Sequence, residues 1–175
     1  MDKYIYIKRK ALTNNQCKFC INYFEDNENK EEVIFRGYTA ICGLIFSDSF
    51  VDLKNILTLN INEYVQKHSF LNTLYARWGI ENEFNIQKYL PGNAYSGEHM
   101  EHGKDEWSSK RLLGWMVYLN NITNKGGTCW PQQNFTSEPR EGDLYIWPAA
   151  WTHSHYGIPA PQEMKYIMTG WCGFI

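Results

Sequence analysis

From Phe84 to the end of the chain, short apolar or alternating runs recur between turn signals, and this rhythm constrains the fold more than any other feature. Phe84-Asn85-Ile86-Gln87-Lys88-Tyr89 alternates as a half-buried strand does, and Leu90-Pro91-Gly92-Asn93 turns the chain. Residues 112–119 are nearly all apolar, which suits a central strand. Asn120-Asn121 and Gly126-Gly127 bracket a loop, and Thr128-Cys129-Trp130-Pro131 reads as short and extended. Residues 138–142 turn into a strand at 143–147, and 166–172 form a closing strand. Short strands with turns between them predict a β-sandwich or jelly roll.

The first part of the chain has a different texture. Residues 4–9 read as a first strand. Thr13 with Gln16 three positions later has the form of a capping box, and Cys17, Cys20, Ile21 and Phe24 follow helical spacing. The charged, Asn-rich stretch 25–32 reads as a solvated loop. A second helix is predicted over about 49–67, with Phe50, Leu53, Leu57, Ile61 and Tyr64 on one face and Asp48 at its cap. The fold class is therefore α+β and β-rich. One domain is expected over 1–175, with 1–75 as helical support and 80–175 as a double-stranded β-helix (jelly-roll) core.

Composition narrows the function. Seven Trp, twelve Tyr and nine Phe favour strands and an aromatic-lined cavity. A net charge of −2, with no basic block beyond Lys8-Arg9-Lys10, argues against a nucleic-acid or polybasic membrane surface. No apolar run approaches the ~20 residues of a membrane span. Met1-Asp2-Lys3-Tyr4-Ile5 lacks the apolar stretch of a signal peptide, so the expected location is cytoplasmic. The five Cys make an odd number, and Cys17-x-x-Cys20 falls on apolar helix positions, so buried thiols are expected rather than a redox or zinc pair.

Of five histidines, His99 alone has a carboxylate two positions on, at Glu101. On a strand these two side chains share a face and can share a metal. A third ligand from elsewhere, with His155 the candidate, would complete a set that suits ferrous iron and leaves coordination positions open. Lys165, ten residues past His155, could hold the far carboxylate of an acidic co-substrate. His102 would face away from His99 on a strand, and His153 is expected at the cavity rim or the surface.

These pieces sit in a longer frame. Tyr89-Leu90-Pro91-Gly92 with Tyr95 precedes His99-Met100-Glu101; Arg111-Leu112 leads to Tyr118-Leu119-Asn120; Gly126-Gly127-Thr128-Cys129-Trp130-Pro131 and Gly142-Asp143-Leu144-Tyr145-Ile146-Trp147-Pro148 follow. His155-Tyr156-Gly157-Ile158-Pro159 and Lys165-Tyr166, then Trp171, complete the order. From about residue 84 onward, roughly half the chain, the sequence resembles the prolyl 4-hydroxylase-like branch of the 2-oxoglutarate/Fe(II) dioxygenases. The resemblance implies iron on His99, Glu101 and His155, with Lys165 pairing with the C5 carboxylate of 2-oxoglutarate. It implies hydroxyls from Tyr118 and Tyr89 on the same molecule. Arg111, Trp130, Trp147 and Trp171 would line the substrate pocket, with Tyr145 and Trp151 as further aromatic candidates. The gly-pro pattern after His155 selects it over His153.

The implied cofactors are Fe(II), 2-oxoglutarate and O2, with ascorbate in support. The implied reaction hydroxylates an unactivated C–H while 2-oxoglutarate becomes succinate and CO2. A prolyl residue of a peptide or protein leads as substrate, and a free amino acid or small metabolite is the alternative. No nucleic-acid or membrane partner is expected, and the sequence does not set the oligomeric state. The carboxylate is Glu where Asp is commoner, which moves its oxygen by about 1.5 Å and requires compensation in the fold. A base-repair dioxygenase fits less well, because that group carries Arg after the distal His and the last Arg here is Arg140. A cupin-type zinc or manganese enzyme lacks a reason for the Lys and Tyr set, and a non-catalytic jelly-roll module lacks one for the triad.

Overall fold

The computed structural model describes residues 4–27, 33–35 (backbone only) and 38–175. Its elements are β1 (Tyr6–Lys8), α1 (Asn14–Asn27), β2 (Val33–Phe35), β3 (Tyr38–Leu44), α2 (Val51–Lys67), β4 (Trp78–Tyr89), β5 (Arg111–Tyr118), β6 (Thr128–Trp130), β7 (Phe135–Thr136), β8 (Leu144–Pro148), β9 (Tyr156–Gly157) and β10 (Lys165–Phe174). Seven strands form one antiparallel sheet in the order β1-β8-β5-β10-β4-β3-β2, and three form a smaller sheet, β7-β6-β9. This is the expected jelly-roll core with helices packed against it.

The capping box opens α1 as predicted. Thr13 N–H donates to Gln16 Oε1 at 2.9 Å, and Gln16 N–H donates to Thr13 Oγ1 at 3.3 Å. Cys17, Cys20 and Phe24 are its buried stripe, and burial pushes both thiols up to about 12. In α2, Leu53, Leu57, Ile61 and Tyr64 are buried as the periodicity requires. Asp48 does not cap this helix. A 3₁₀ turn over Asp48–Phe50 precedes it, and Phe50, which has no capping side chain, stands at the N-cap. Residues 28–32 of the expected loop lie outside the described residues.

The segment read as helical support also supplies sheet. β3 pairs with β4 from Thr39↔Lys88 to Leu44↔Glu83, and β1 pairs with β8. No helix among the described residues is long and apolar enough to cross a membrane.

Strand alternation divides the interior in two. On β4, β5 and β10, Phe84, Ile86, Trp115, Val117, Met168 and Cys172 face the helices and join Phe24, Leu57 and Tyr64 in one core. The opposite face carries Tyr89, Met116, Tyr118 and Ile167, which meet Trp130, Tyr145 and Trp147 in a second cluster beneath the small sheet. Polar side chains on that second face open a cavity.

The two faces of α2 give the first prediction. Leu57 is wholly buried and Leu59 is 65% exposed. Leu57→Ala is expected to cost about 2–5 kcal/mol in urea unfolding, and Leu59→Ala less than about 0.5 kcal/mol.

Candidate active site

A cavity of about 390 Å³ lies on the inner face of the large sheet. Alternation on β4 aims Asn85, Gln87 and Tyr89 into it, and alternation on β10 aims Lys165, Ile167, Thr169 and Trp171. Met116 of β5, Thr128 of β6 and Trp147 of β8 complete the strand walls. Tyr38 of β3, stacked on Tyr89, adds to those walls, and Tyr95, His99, Glu101 and His155 complete the lining.

His99 and His155 are brought together by an isolated antiparallel bridge. His99 N–H donates to the His155 carbonyl at 3.0 Å, and His155 N–H returns to the His99 carbonyl at 2.8 Å. Their rings stand 4.4 Å apart. Each Nδ1 faces a backbone carbonyl, Gly97 for His99 at 2.9 Å and His153 for His155 at 3.1 Å. A carbonyl only accepts, so each Nδ1 carries a proton and each Nε2 is the nitrogen available to a metal. Burial, with His155 nearby, lowers the pKa of His99 and favours its neutral form.

Glu101 sits in a bend beside them. His155 Nε2 lies 3.3 Å from Glu101 Oε1, and the two side chains are 7% and 10% exposed. Burial alone would raise the Glu101 carboxyl. The hydrogen bond and charge of His155, the nearby His99 and the Trp171 indole outweigh it and hold the group at about 2. One donor atom from each of His99, Glu101 and His155 lies within 4.8 Å of the other two. Two imidazoles that present Nε2 and one ionised carboxylate, each oriented by an outer hydrogen bond, fit a divalent iron. This is the single such cluster among the described residues.

Lys165 occupies the opposite end of the β10 row. It is 3% exposed, and its Nζ donates to the Gly126 carbonyl at 3.1 Å and sits 4.6 Å above the Tyr89 ring. No carboxylate among the described residues pairs with it. Desolvation lowers its pKa to about 8. A buried cation without a counter-anion, facing a cavity, is suited to receive one.

Other sequence expectations divide. Arg111, Trp147 and Trp171 line the cavity. The Arg111 guanidinium lies 3.5 Å from the Trp171 ring centre, and Trp171 Nε1 donates to Glu101 Oε2 at 2.5 Å. Tyr89 also lines the cavity, but its hydroxyl donates to Gln87 Oε1 at 2.8 Å.

Tyr118 and Trp130 need correction, because both lie one layer too deep. The Tyr118 hydroxyl is held by Thr128 Oγ1 at 3.1 Å and Ser137 Oγ at 2.7 Å, so Thr128 meets the cavity in its place. Trp130 is wholly buried, stacked on Phe135 and Tyr145 and 5.6 Å from the His155 ring, so it backs the site rather than lining it. Tyr145 is likewise buried, and Trp151 is 71% exposed away from the cavity. His153 is buried rather than at a rim, with Nδ1 3.0 Å from Thr152 Oγ1.

Sequence reading missed Gln87, Asn85, Thr128, Tyr38 and Tyr95 as wall residues. Asn85 and Gln87 had a signal, being polar positions alternating with Phe84 and Ile86. Tyr38 had none without knowledge of β3.

A profile of the 2OG-Fe(II) oxygenase superfamily matches residues 84–173, just over half of the chain. A protein of Acanthamoeba polyphaga mimivirus named "Putative prolyl 4-hydroxylase" is 29% identical over 106 residues, which are 51% of this chain and 43% of that protein. The chain thus spans less than half the length of this curated relative. Among solved structures, a viral collagen prolyl hydroxylase of Paramecium bursaria Chlorella virus-1 superposes with a TM-score of 0.77 at 18% identity, covering 98% of this chain and 97% of that one. A Pseudomonas putida prolyl-4-hydroxylase gives 0.73 at 17%, covering 97% and 92%. A Trichoplax adhaerens prolyl hydroxylase, solved with a hypoxia inducible factor peptide fragment, gives 0.71 at 15%, covering 98% and 84%.

The buried Lys165 has a measurable consequence. Its pKa of about 8 lies below the ~10.4 of an unfolded lysine, so the unfolded chain binds more protons between those values and stability rises with pH there. Lys165→Met is expected to stabilise the ligand-free protein at pH 7, by on the order of 1–3 kcal/mol. In thermal melts this advantage should shrink as pH approaches 10; an advantage independent of pH would contradict the desolvated cation.

Proposed function

The chain belongs to the 2OG-Fe(II) oxygenase superfamily, whose members use Fe(II), 2-oxoglutarate and O2, and on that premise we propose that it hydroxylates a prolyl residue in a peptide or protein. One observation carries the reading: two imidazoles with carbonyl-anchored Nδ1 atoms and a buried carboxylate converge at one end of a cavity whose other end holds a buried cation that no carboxylate among the described residues pairs with. His99, Glu101 and His155 would hold the iron, and Lys165 the C5 carboxylate of 2-oxoglutarate. When bound, iron and 2-oxoglutarate supply the oxidising chemistry that inserts oxygen into an unactivated C–H, with succinate and CO2 as co-products.

The protein's own residues contribute position and dryness. The carbonyls of Gly97 and His153 fix both imidazole orientations. Trp147, Met116 and Ile167 give the cavity apolar walls that exclude water. Tyr89 lies under the Lys165 ammonium as a π-face, and Thr128 offers a hydroxyl where Tyr118 was expected to do so.

A peptide suits the surroundings better than a free amino acid. Past Arg111 and Trp171, which line both, the cavity adjoins a second hollow of about 600 Å³ bordered by Glu81, Glu83, Trp107 and Phe174. That hollow leaves room for chain flanking the reacting residue. The prolyl hydroxylase names of the mimivirus relative and of the three structures support the same choice.

Anaerobically purified protein given Fe(II), 2-oxoglutarate and O2 should form succinate, and Glu101→Ala or His155→Ala should abolish it. Proline-containing peptides should raise the rate and gain the mass of one oxygen atom. Lys165→Met should raise KM for 2-oxoglutarate by about 10–100-fold. In the wild type, 2-oxoglutarate affinity should fall as pH rises above about 8, where the Lys165 ammonium is lost. No succinate together with no Fe(II)-dependent 2-oxoglutarate binding in calorimetry would leave a non-catalytic module. Hydroxylation of free proline or another small metabolite but of no peptide would replace the substrate class.

A further inference from the structure

The candidate triad uses glutamate, one methylene longer than aspartate, and the fold makes room for that methylene at one point. Gly114 stands inside β5, where glycine weakens a strand and marks the close approach of another group. Its cross-strand partners are Trp147 on β8 and Trp171 on β10. A Cβ on Gly114 would lie 2.9 Å from Trp147 Cε2 and Cζ2 and 3.0 Å from Glu101 Cγ. Carbons pack at about 3.5–4.0 Å, so the γ-methylene of Glu101 rests over a notch that any side chain at 114 would fill.

The two carboxylate oxygens are also told apart. Trp171 Nε1 donates to Oε2 at 2.5 Å, whereas Oε1 lies 3.3 Å from His155 Nε2. The Arg111 guanidinium, stacked 3.5 Å from the Trp171 ring centre, holds the indole in place.

The geometry points to Gly114 and Trp171 as positioning residues that adapt this site to a glutamate ligand. The notch takes the extra methylene, and the indole N–H holds the outer oxygen so that Oε1 faces the two imidazoles. The inference rests on the reading of His99, Glu101 and His155 as a metal site.

A double-mutant cycle tests it without turnover. The readouts are anaerobic calorimetry with Fe(II) and with Co(II), and the visible ligand-field spectrum of the Co(II) protein, with folding checked by thermal melts. Gly114→Ala should weaken Co(II) binding by about tenfold or more in the wild-type background, and by less than about threefold in the Glu101→Asp background. Trp171→Phe keeps a ring for Arg111 but loses the donor. It should weaken binding by about tenfold and shift the Co(II) spectrum.

Equal losses from Gly114→Ala in both backgrounds would assign its effect to Trp147 and overturn the inference, as would unchanged affinity and spectrum in Trp171→Phe. If Gly114→Ala folds only alongside Glu101→Asp, the coupling is shown by folding itself; failure to fold in both backgrounds overturns it. Wild-type protein that binds neither metal, or His155→Ala that binds as well as wild type, would instead refute the metal reading on which the inference stands.

Discussion

Two backbone hydrogen bonds, exchanged between His99 and His155, hold the site together. Residues 90–110 carry little regular structure beyond it, and the bridge ties them to the chain near β9 together with the Gly157 N–H on the Tyr95 carbonyl at 2.7 Å and the His102 N–H on the Ala149 carbonyl at 3.0 Å. Because the same two residues also present the imidazoles, the backbone contact and the side-chain geometry cannot drift independently. A bridge of this kind sets ring separation through main-chain atoms, which are far stiffer than rotamers. Glu101, two residues along, inherits its place from the same anchor, and the indole of Trp171 fixes the remaining freedom.

The large sheet supplies the rest by alternation. Its helix-facing side is apolar at the centre, with Lys8 and Lys88 pairing with Glu63 of α2 and Glu25 of α1 toward its edges, and burying that side against α1 and α2 provides most of the driving force for folding. The cavity-facing side then carries polar and charged groups at a cost in stability. Lys165 is the sharpest case, an ammonium stripped of water with a carbonyl and a π-face for company. Gly114 is a quieter one, a strand residue without a side chain between two tryptophans. Functional sites commonly depart from the rules that stabilise a fold, and here the departures sit on one face of two adjacent strands.

How much could be read from the sequence follows from the range of each interaction. The capping box of α1, the buried stripe of α2 and the strands around 84–89, 112–119 and 166–172 are local patterns, and they stand where periodicity put them. His99, Glu101 and His155 converge because motif order already encodes the topology that joins them. Depth was not legible. Tyr118 and Trp130 lie on the cavity side, as alternation requires, yet Thr128 stands at the Tyr118 hydroxyl and Trp147 and His155 stand against Trp130, and only long-range register shows it. The cap of α2 failed for a related reason: a 3₁₀ turn, whose hydrogen bonds differ by one residue from the helix, shifted the start past Asp48. β3 escaped notice because Tyr38–Leu44 mixes exposed, buried and glycine positions without a clean period.

On β10 the even positions Tyr166, Met168 and Cys172 belong to the core, while the odd positions Lys165, Ile167, Thr169 and Trp171 belong to the cavity. One strand therefore carries two interleaved inheritances. Changes at one set alter whether the chain folds, and changes at the other alter what it meets once folded. Selection can act on the second set while leaving the first untouched, so a lineage built on this strand could change its chemistry by single substitutions without first rebuilding its scaffold.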